Sequence, residues 1–352
     1  MMNKKMYHII MCGGIGSRFW PMSTTNMPKQ FLKLIDEKSL LRLTVDRLLK
    51  IALPEEIIIV TSQKYEKNIN LEIPEIPKKN ILFESTPKNT APAIYFALKF
   101  IEILNKDAIV GVYPSDHHIG DTKIFIQNIN KIRKFIINNN KIICTIGIKP
   151  NYPSTSYGYI KCGDVNKKEI FKVISFKEKP TIKKAKEFLK SKEFVWNSGM
   201  FFFNVSSMIT EINTYVPELK KLYSKAHYTK DNISSIVHKI WDKMPKISID
   251  YAVMEKTANA YCIKSDFGWS DIGTWDSIYN LSTKNKDGNA YKGKVVSHDA
   301  ENNLIVSDSD LVSIVGLNNI AVINHKGKTL VMDLSKSEEV RYIIDKLDNK
   351  DK

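Results

Sequence analysis

Cysteine is scarce in this chain, and its placement excludes two kinds of site. The 352 residues contain four cysteines, at positions 12, 144, 162 and 262, and none of them forms a C-x-x-C pair. A zinc site or a disulfide framework normally shows closely spaced cysteines. Cys12, Cys144 and Cys262 lie beside apolar runs typical of strands, so we expect buried free thiols.

Long hydrophobic runs are also missing. No stretch approaches the roughly 18 apolar residues that are needed to span a bilayer, and the run Ile9–Cys12 is too short for the core of a signal peptide. The hydrophobic fraction of 43% and the charged fraction of 26% are those of an ordinary soluble globular protein. We therefore expect a cytoplasmic protein without a membrane partner.

Arginine is rare although the net charge is +15. Only five of the 53 basic residues are arginine, at positions 18, 42, 47, 133 and 341. Proteins that bind nucleic acids usually concentrate arginine for bidentate contacts, whereas the lysines here are scattered among asparagine and isoleucine. We expect a solvated lysine-rich surface, which would attract anionic substrates, and no nucleic-acid partner.

Two common nucleotide-binding motifs are incomplete in the glycine-rich loop near the N-terminus. The loop follows an apolar strand pattern, Tyr7–Met11. Gly14 and Gly16 match the first two positions of G-x-G-x-x-G, but Phe19 stands at the third, and no Gly-Lys-Ser/Thr occurs in the loop. A plain turn is the alternative interpretation of such a loop.

Two cations make this loop more specific than a turn. Arg18 lies in the loop and Lys29 follows within Pro28-Lys29-Gln30-Phe31. Glycines let the backbone approach phosphates, and backbone N–H groups can point at an anion. The loop and the two cations together favour a triphosphate ligand over a dinucleotide. No Ser-His-Asp or Cys-His arrangement stands out, and phosphoryl-type transfer does not need one.

The first half of the chain alternates between strand and helix patterns. Predicted strands cover 57–61, 108–113 and 142–148, and predicted helices cover 39–52, 91–104 and 122–138. This alternation predicts an α/β fold with a mostly parallel, mixed sheet flanked by helices. Ligands bind beyond the carboxyl ends of such strands, where the Gly13 loop and the segment Pro114–His117 lie.

The C-terminal part changes character. Residues 284–294 are polar and are predicted to form a linker, and short alternating strands without helices follow. These strands predict a small β module, either a meander or the start of a β-helix. A terminal helix is expected near Ser335, with Ser335-x-x-Glu338 as a capping box. We expect a catalytic domain at 1–283, and the β module with its helix at 284–352.

Two aspartates are candidate ligands for Mg²⁺. Asp116 follows the predicted strand that ends at Tyr113, and Asp271 lies between two glycines and two tryptophans in 268–275. Magnesium accepts one or two carboxylates and completes its shell with substrate phosphates and water. The alternatives are helix caps, Asp116 for a segment from His117 onward and Asp271 for a helix near Ile272.

Other polar groups could contact a sugar or a nucleoside. Glu178 could accept hydrogen bonds from hydroxyl groups, Lys179 could pair with a phosphate, and Asn197 precedes a glycine that permits close approach. Asn89 opens a predicted helix, whose N–H groups could meet a nucleotide. An exposed strand end is the alternative for Glu178 and Lys179, and an ordinary N-cap is the alternative for Asn89 and Thr90.

These motifs together resemble one family, the bacterial mannose-1-phosphate guanylyltransferases within the sugar nucleotidyltransferases. The similarity extends to Trp275 and continues more weakly to about Leu334. It rests on segments in a fixed order: 13–21, 28–31, 89–93, 114–117, 176–180, 196–201, 248–256 and 268–275. The resemblance implies a Rossmann-like fold of the nucleotide-diphospho-sugar transferase type, with a β-helix-like C-terminal module.

The resemblance also implies a reaction and the roles of residues. GTP and α-D-mannose 1-phosphate would give GDP-mannose and pyrophosphate, with Mg²⁺ as cofactor. Arg18 and Lys29 would hold the GTP phosphates, and Asp116 and Asp271 would hold the metal. The nucleoside would be lined by Gly13, Gly14, Gly16, Asn89 and Ser115. The sugar phosphate would be bound by Gly158, Glu178, Lys179 and Asn197. A homodimer without the isomerase domain of longer members is expected.

The chain departs from the family pattern at one segment near the sugar. The usual Glu-Thr-Gly-Tyr-Gly-Tyr reads Ser154-Thr155-Ser156-Tyr157-Gly158-Tyr159 here. Three other functions stay open at this point: transfer to a different sugar 1-phosphate or from a different base, a catalytically silent regulator that binds GDP-mannose, and a nucleic-acid binder. Five charged residues that the family's reaction uses are all present, which argues against a silent homologue: Arg18, Lys29, Asp116, Lys179 and Asp271.

Overall fold

The computed structural model describes residues 4–165, 169–308 and 310–348, and the chain divides into two compact units. The first unit holds the chain up to Gly13, Val45–Ser115 and Ile119–Trp269. The second unit holds Gly14–Thr44, Asp116–His118 and the chain from Ser270 onward. The expected domain boundary near residue 283 stays a prediction.

The bounds of the regular elements are as follows. The strands are β1 (Met6–Cys12), β2 (Ile57–Ser62), β3 (Ile81–Glu84), β4 (Ile109–Pro114), β5 (His118–Ile119), β6 (Ile143–Ile148), β7 (Tyr159–Val165), β8 (Ile170–Lys177), β9 (Phe194–Asn204), β10 (Ala260–Ser265), β11 (Trp269–Ser270), β12 (Ala290–Lys292), β13 (Val295–His298), β14 (Leu304–Ser307), β15 (Val312–Val315), β16 (Ile320–His325) and β17 (Lys328–Asp333). The α-helices are α1 (Leu40–Leu48), α2 (Glu66–Glu72), α3 (Thr90–Leu104), α4 (Thr122–Asn138), α5 (Ile182–Ser191), α6 (Val205–Tyr215), α7 (Pro217–Tyr223), α8 (Ile233–Ile240), α9 (Trp275–Leu281) and α10 (Val340–Ile344).

The first unit is built on a mixed sheet in the order β3-β2-β1-β4-β9-β6-β10-β8-β7. Strands β1, β2, β3 and β4 pair in parallel, as do β6 and β10, whereas β9 runs antiparallel to β4 and β6. Strands such as β2, Ile-Ile-Ile-Val-Thr-Ser, are apolar at successive positions because helices cover both faces of a parallel sheet. The predicted α/β fold with a mostly parallel, mixed sheet is confirmed.

The far end of this sheet closes on itself. Strand β7 pairs with β8 and also with β9, so that β9, β6, β10, β8 and β7 form a ring of paired strands. The register shifts between Lys161 and Cys162, which is the kind of irregularity that bends a strand. The ring gives the loop before β7 and the end of β8 fixed positions.

The hydrophobic core of the first unit surrounds α3. Nearly all side chains of α3 from Ala91 to Ile101 are buried, which is typical of a helix that packs on a sheet and is itself covered. Helix α4 begins where the Asp121 side chain accepts a hydrogen bond from the Ile124 N–H at 3.0 Å. Both helices were expected from the sequence.

The C-terminal strands of the second unit form a β-helix rather than a meander. Strands β12, β14 and β16 pair in parallel in one sheet, and β13 pairs in parallel with β15 in another. Successive strands therefore alternate between two sheets, which is the arrangement of a solenoid. Only β17, which is antiparallel to β16, departs from it.

Buried asparagines connect the turns of this β-helix. The Asn303 amide donates to Asn289 Oδ1 at 3.0 Å and to the Leu317 carbonyl at 2.8 Å, and its oxygen accepts from the Ile320 N–H. Asn289 in turn donates to the Ala300 carbonyl. The predicted linker over 284–294 was wrong in part, because residues 290–292 are the first strand of this solenoid.

The predicted capping box at Ser335 was also wrong. Asp333 is the capping residue, and its carboxylate accepts from the N–H and the hydroxyl of Ser335. A 3₁₀ helix, Leu334–Glu339, comes first, and α10 follows. The aspartate outcompetes the serine because its charged oxygen is the stronger acceptor for exposed N–H groups.

Two further observations concern the cysteines and the length of the helices. Cys12, Cys144 and Cys262 are buried and free, as predicted, and Cys162 is half-buried and free. Within residues 4–165, 169–308 and 310–348, no helix is long and apolar enough to cross a membrane.

Candidate active site

The glycine loop starts at the carboxyl edge of the parallel sheet in the first unit. Strands β1 and β4 are neighbours that end at Cys12 and Pro114, so Gly13 and Ser115 leave the same edge. The Ser115 N–H donates to the Met11 carbonyl at 3.2 Å, and Ser115 is buried. The structure thus brings together two of the residues expected to line a nucleoside.

In the second unit, Lys29 joins the two candidate metal ligands. Its ammonium lies 2.9 Å from Asp116 Oδ2 and donates to the Asp271 carbonyl at 2.5 Å. The Lys29 side chain is only 9% exposed, and the Phe19 ring lies 5.8 Å from the ammonium. These residues form the Lys29 cluster, in which one cation contacts the carboxylate of Asp116 and the main-chain carbonyl of Asp271.

Gly16 makes room for Lys29. A Cβ atom at position 16 would lie 2.3 Å from Lys29 Cβ, and Gly16 has a φ of +69°. The Lys29 N–H also donates to the Ile15 carbonyl at 3.0 Å. The loop and Lys29 are therefore built against each other, and only glycine combines this conformation with this contact.

The Asp116 carboxyl stays ionised in this setting. Burial alone would raise the pKa of Asp116, but the Lys29 ammonium, together with His117, lowers it below its usual value. The capping role was the wrong alternative for Asp116, because β5 follows it and α4 begins only after Asp121. A carboxylate that is charged and about a quarter exposed can still bind a cation.

The capping role is also wrong for Asp271. Helix α9 begins at Trp275, after Thr274, and the Ile272 N–H donates to Ser270 Oγ at 3.1 Å. Ile272 itself has a φ of +46°, which is an uncommon conformation for a β-branched residue. The turn is anchored by Trp275, whose indole N–H donates to the Trp20 carbonyl at 3.3 Å.

The donors in the Lys29 cluster fit a hard divalent cation. The Asp116 carboxylate and the Asp271 main-chain carbonyl, which share the Lys29 ammonium, are oxygen donors, and Mg²⁺ is held in proteins by one or two carboxylates together with substrate phosphates. Among the residues that the structure describes, no group of three or more His, Cys, Asp or Glu side chains could hold a metal by itself.

Arg18 has a partner in the C-terminal segment. Its Nε lies 2.8 Å from Glu338 Oε2, and the two side chains are 34% and 50% exposed. Arginine carries five N–H donors in a fixed fork, so a contact through Nε leaves its terminal nitrogens for an anion. The sequence motif predicted Arg18 but not Glu338.

The segment before α3 is held by main-chain hydrogen bonds. Asn89 has a φ of +62° and stands at the N-cap position, but its side chain makes no capping hydrogen bond. The Thr90 hydroxyl accepts from the Ile249 N–H at 2.8 Å instead. Hydrogen bonds from Ile247 to Lys88 and from Ala91 to Ile247 complete the attachment. The ordinary N-cap interpretation is wrong for both side chains.

A second group of polar residues lies in the first unit, and we call it the Glu178 cluster. It consists of Gly158, Glu178, Lys179, Asn197, Asp250 and Glu255. Glu178 is only 10% exposed and its Oε1 lies 3.4 Å from the Lys179 ammonium. Its Oε2 is buried and accepts no hydrogen bond from the described residues.

Gly158 lies against this unpaired oxygen. A Cβ atom at position 158 would lie 2.5 Å from Glu178 Oε2, and the Gly158 carbonyl accepts from the Asn197 N–H at 2.8 Å. Ser154 and Ser156, where the chain departs from the family pattern, hydrogen-bond each other locally at 3.2 Å. Gly158 therefore keeps its place beside Glu178 and Asn197 despite the departure.

Burial raises the pKa of two acids in the Glu178 cluster. Burial, and then the Asp250 carboxylate, raise the pKa of Glu178 to about 7, against the opposing effect of Lys179. Burial likewise raises the pKa of Asp250. Lys179 is 60% exposed and has a φ of +45°, a strained conformation that is common at functional sites.

Sequence reasoning missed Asp250 and Glu255 as members of this cluster. Asn197 Nδ2 donates to Asp250 Oδ1 at 3.1 Å, and the Glu178 N–H donates to Glu255 Oε1 at 3.1 Å. Both acids lie in the segment 248–256, which was a family landmark without an assigned role. A cluster formed by four separate segments has no spacing that a sequence motif could reveal.

Comparisons with known proteins agree with this architecture. A family model for nucleotidyl transferases matches residues 7–288, and a model for the MannoseP isomerase/GMP-like beta-helix domain matches residues 293–347. The chain is 34% identical to a mannose-1-phosphate guanylyltransferase of Escherichia coli over 99% of this chain and 76% of that protein. It is 36% identical to one of Salmonella montevideo over 96% and 73%.

A solved structure is similar over almost the whole chain. It is described as mannose-1-phosphate geranyltransferase from Thermus thermophilus, with 27% identity and a TM-score of 0.86. The similarity covers 97% of this chain and 99% of that chain. Both units of the fold therefore have a counterpart in a crystal structure.

Proposed function

The chain belongs to the nucleotidyl transferase family and, within it, to the mannose-1-phosphate guanylyltransferases, and we propose that it transfers GMP from GTP to α-D-mannose 1-phosphate. The products are GDP-mannose and pyrophosphate. The observation that carries the proposal is the Lys29 ammonium held between the Asp116 carboxylate and the Asp271 main-chain carbonyl, since a cation beside oxygen donors suits a triphosphate with its metal.

The nucleotide is assigned to the glycine loop and its neighbours. Arg18 and Lys29 hold the phosphates of GTP, where their positive charge offsets the charge that develops on the leaving pyrophosphate. The loop glycines let the main chain approach the ligand. The nucleoside contacts are assigned to Gly13, Gly14, Gly16, Asn89 and Ser115.

The sugar phosphate is assigned to the Glu178 cluster. The exposed Lys179 ammonium pairs with the phosphate group, because a lysine binds phosphate as a mobile point charge. The buried Glu178 Oε2, which lacks a partner among the described residues, accepts a hydrogen bond from a hydroxyl group. Gly158 and Asn197 border the same position and complete the sugar contacts.

Asp116 and Asp271 are the residues that would hold Mg²⁺. A bound Mg²⁺ would neutralise charge on the reacting phosphates and orient them. Asp116 is suited to this role because Lys29 keeps its carboxyl ionised.

The reaction needs no protein nucleophile. A phosphate oxygen of mannose 1-phosphate attacks the α-phosphorus of GTP in line, and a new O–P bond forms while the bond between the α-phosphorus and the bridging oxygen breaks. The electron pair leaves with pyrophosphate. The attacking oxygen is already anionic, so the protein need only bind and align the two substrates and stabilise charge with Arg18 and Lys29.

Asp271→Asn tests the assignment of the metal ligand. We expect turnover to fall by about 100-fold or more, because a neutral amide is a poor ligand for Mg²⁺, while the melting temperature stays unchanged. The exposed Asp266 provides the matched control, Asp266→Asn, which should keep full activity. Normal activity of Asp271→Asn would remove Asp271 from the metal site.

Lys179→Ala tests the assignment of the sugar phosphate. The KM for mannose 1-phosphate should rise while the KM for GTP stays the same, and Lys177→Ala, on the neighbouring exposed lysine, should change neither. An effect that is confined to GTP would reverse the assignment of Lys179.

Location, assembly and domain roles complete the proposal. We place the enzyme in the cytoplasm, where GTP and sugar phosphates are available, and propose a homodimer. Catalysis is assigned to residues 1–283, and the β-helix with its terminal helix occupies 284–352. Light scattering of the purified protein tests the dimer, and a monomer at micromolar concentration would refute it.

A further inference from the structure

Asp250 and Glu255 are delivered to the Glu178 cluster by one turn of π-helix. Residues Asp250–Met254 form this turn, and the Glu255 N–H donates to the Asp250 carbonyl at 3.0 Å. π-Helical turns are rare and occur frequently at functional sites. The wide turn brings two acids that are five residues apart to the same small group of polar side chains.

The residues just before this turn are hydrogen-bonded to residues 88–91, at the start of α3. The Ile249 N–H donates to the Thr90 hydroxyl at 2.8 Å, and Ile247 exchanges main-chain hydrogen bonds with Lys88 and Ala91. The backbone of Asp250 is therefore fixed by the segment before α3, and its carboxylate has a defined position.

Asp250 and the Gly199 N–H together fix which way the Asn197 amide points. Asn197 Oδ1 accepts from the Gly199 N–H at 3.1 Å and from the Thr145 hydroxyl at 3.2 Å, while Nδ2 donates to Asp250 Oδ1 at 3.1 Å. An N–H can only donate and a carboxylate can only accept, so a flipped amide would lose its hydrogen bonds with Gly199 and with Asp250. Asn197 is buried, and one of its two amide N–H groups remains for a ligand.

The remaining polar atoms of the cluster are complementary to a sugar. The free N–H of Asn197 is a donor, and the buried Glu178 Oε2, which no described residue contacts by a hydrogen bond, is an acceptor. Hydroxyl groups can both donate and accept. A donor and an acceptor side by side therefore suit two neighbouring hydroxyl groups of a hexose.

We propose that Asp250 is a positioning residue for the sugar: it fixes the Asn197 amide so that its free N–H binds one hydroxyl group of the hexose 1-phosphate, beside a second hydroxyl bound by Glu178. This inference rests on the proposed function, and it adds a specificity residue that acts through Asn197. Glu255 supports the same arrangement by accepting from the Glu178 N–H.

The test compares Asp250→Ala, Asn197→Ala and the double variant by steady-state pyrophosphate release. In Asp250→Ala, the KM for mannose 1-phosphate should rise about 10-fold or more, because a hydrogen bond to a charged group is lost, while the KM for GTP stays within about twofold. In the double variant the KM should match that of Asn197→Ala alone, because Asp250 acts through that amide. Tyr251→Phe, at the next position of the π turn, is the matched control and should behave like the wild type.

Three results would overturn the proposal. They are an unchanged KM for the sugar phosphate in Asp250→Ala, an equal rise of both KM values, and fully additive effects in the double variant. Should Asp250→Ala fail to fold, Asp250→Asn decides, because it keeps the size of the side chain and one acceptor oxygen. The isosteric variant should show the same KM pattern at smaller amplitude, and an unchanged KM would overturn the proposal.

The proposed function and this inference fail in different ways. A wild-type enzyme that uses another hexose 1-phosphate would refute the choice of mannose, and the three variants would then be compared with that sugar. If the wild type releases no pyrophosphate, calorimetric binding of mannose 1-phosphate replaces turnover. Asp250→Ala should then weaken that binding about 10-fold, and equal binding by wild type and variant would refute the role of Asp250.

Discussion

Lys29 and Asp116 form an ion pair in which the ammonium lies 2.9 Å from the carboxylate oxygen. The pair is partly buried, and it lowers the pKa of Asp116 although burial acts in the opposite direction. Asp116 therefore depends on Lys29 for its charged state. Several consequences can be measured.

Lys29→Met should destabilise the protein as well as inactivate it. The substitution keeps an unbranched side chain but leaves Asp116 without its cation. We expect a loss of roughly 1–3 kcal/mol in the free energy of unfolding at pH 7, between the values for exposed and buried pairs. Urea denaturation measures this loss. Lys29→Met/Asp116→Asn should recover most of it, and a double variant as unstable as the single one would contradict the pairing.

Gly16→Ala should disturb the loop more than Gly13→Ala. The new methyl group would lie 2.3 Å from Lys29 Cβ at a φ of +69°, whereas a Cβ at position 13 meets no atom within 4 Å. We expect a cost of about 2–4 kcal/mol for Gly16→Ala, from the steric contact and from the left-handed backbone. Thermal denaturation of both variants checks this, and equal melting temperatures would contradict the predicted contact.

The Glu178 cluster should make stability depend on pH between about 5 and 8. The pKa of Glu178 is raised to about 7 by burial and by Asp250, with Lys179 opposing and Glu255 adding to the rise. A raised pKa in the folded state means that the stability it contributes is present at low pH and is lost as the pH rises through about 7. Between pH 5 and pH 8, the free energy of unfolding of the wild type should therefore fall by about 2 kcal/mol more than that of Glu178→Gln.

Ionisation of Glu178 should increase catalytic efficiency, although it decreases stability. Because the ionised carboxylate accepts the hydroxyl hydrogen bond, kcat/KM for mannose 1-phosphate should rise with pH to a plateau above about 7. Glu178→Gln should lower kcat/KM and remove that rise. Parallel pH profiles for the wild type and Glu178→Gln would show that another group is responsible.

Asn303 should contribute more to the stability of the β-helix than the exposed Asn318. It is fully buried and bonds to Asn289, Leu317 and Ile320, so Asn303→Ala would leave buried polar groups unpaired. We expect a loss of about 3 kcal/mol or more. Asn318→Ala removes one exposed hydrogen bond, to the Glu301 N–H, and should cost about 1 kcal/mol. Urea denaturation of the two variants should separate them, and equal costs would contradict the role of Asn303.

Much of the architecture could be predicted from the sequence, because the relevant signals are local. The strand before Gly13 and the helices predicted over 91–104 and 122–138 follow from apolar periodicity, and the structure confirms them. The choice between a meander and a β-helix could not be made, because short strands with polar turns fit both. Only the pairing of alternate strands distinguishes them.

The polar clusters could be predicted only in part. Motifs identified Lys29, Asp116 and Asp271 as separate features, but their joint contact depends on how distant segments meet. Asp250 was missed because its position depends on a π-helical turn and on hydrogen bonds to Thr90. Capping was wrongly assigned at Ser335 because the neighbouring aspartate competes for the same N–H groups.

Pyrophosphate release by the purified protein with Mg²⁺ tests the proposed transfer of GMP to mannose 1-phosphate most directly. GTP, ATP, UTP and dTTP would each be combined with mannose 1-phosphate and with glucose 1-phosphate. We expect release with GTP and mannose 1-phosphate and at most weak release with the other pairs. Release with a different pair, or no release from any pair by a folded protein, would contradict the proposed transfer.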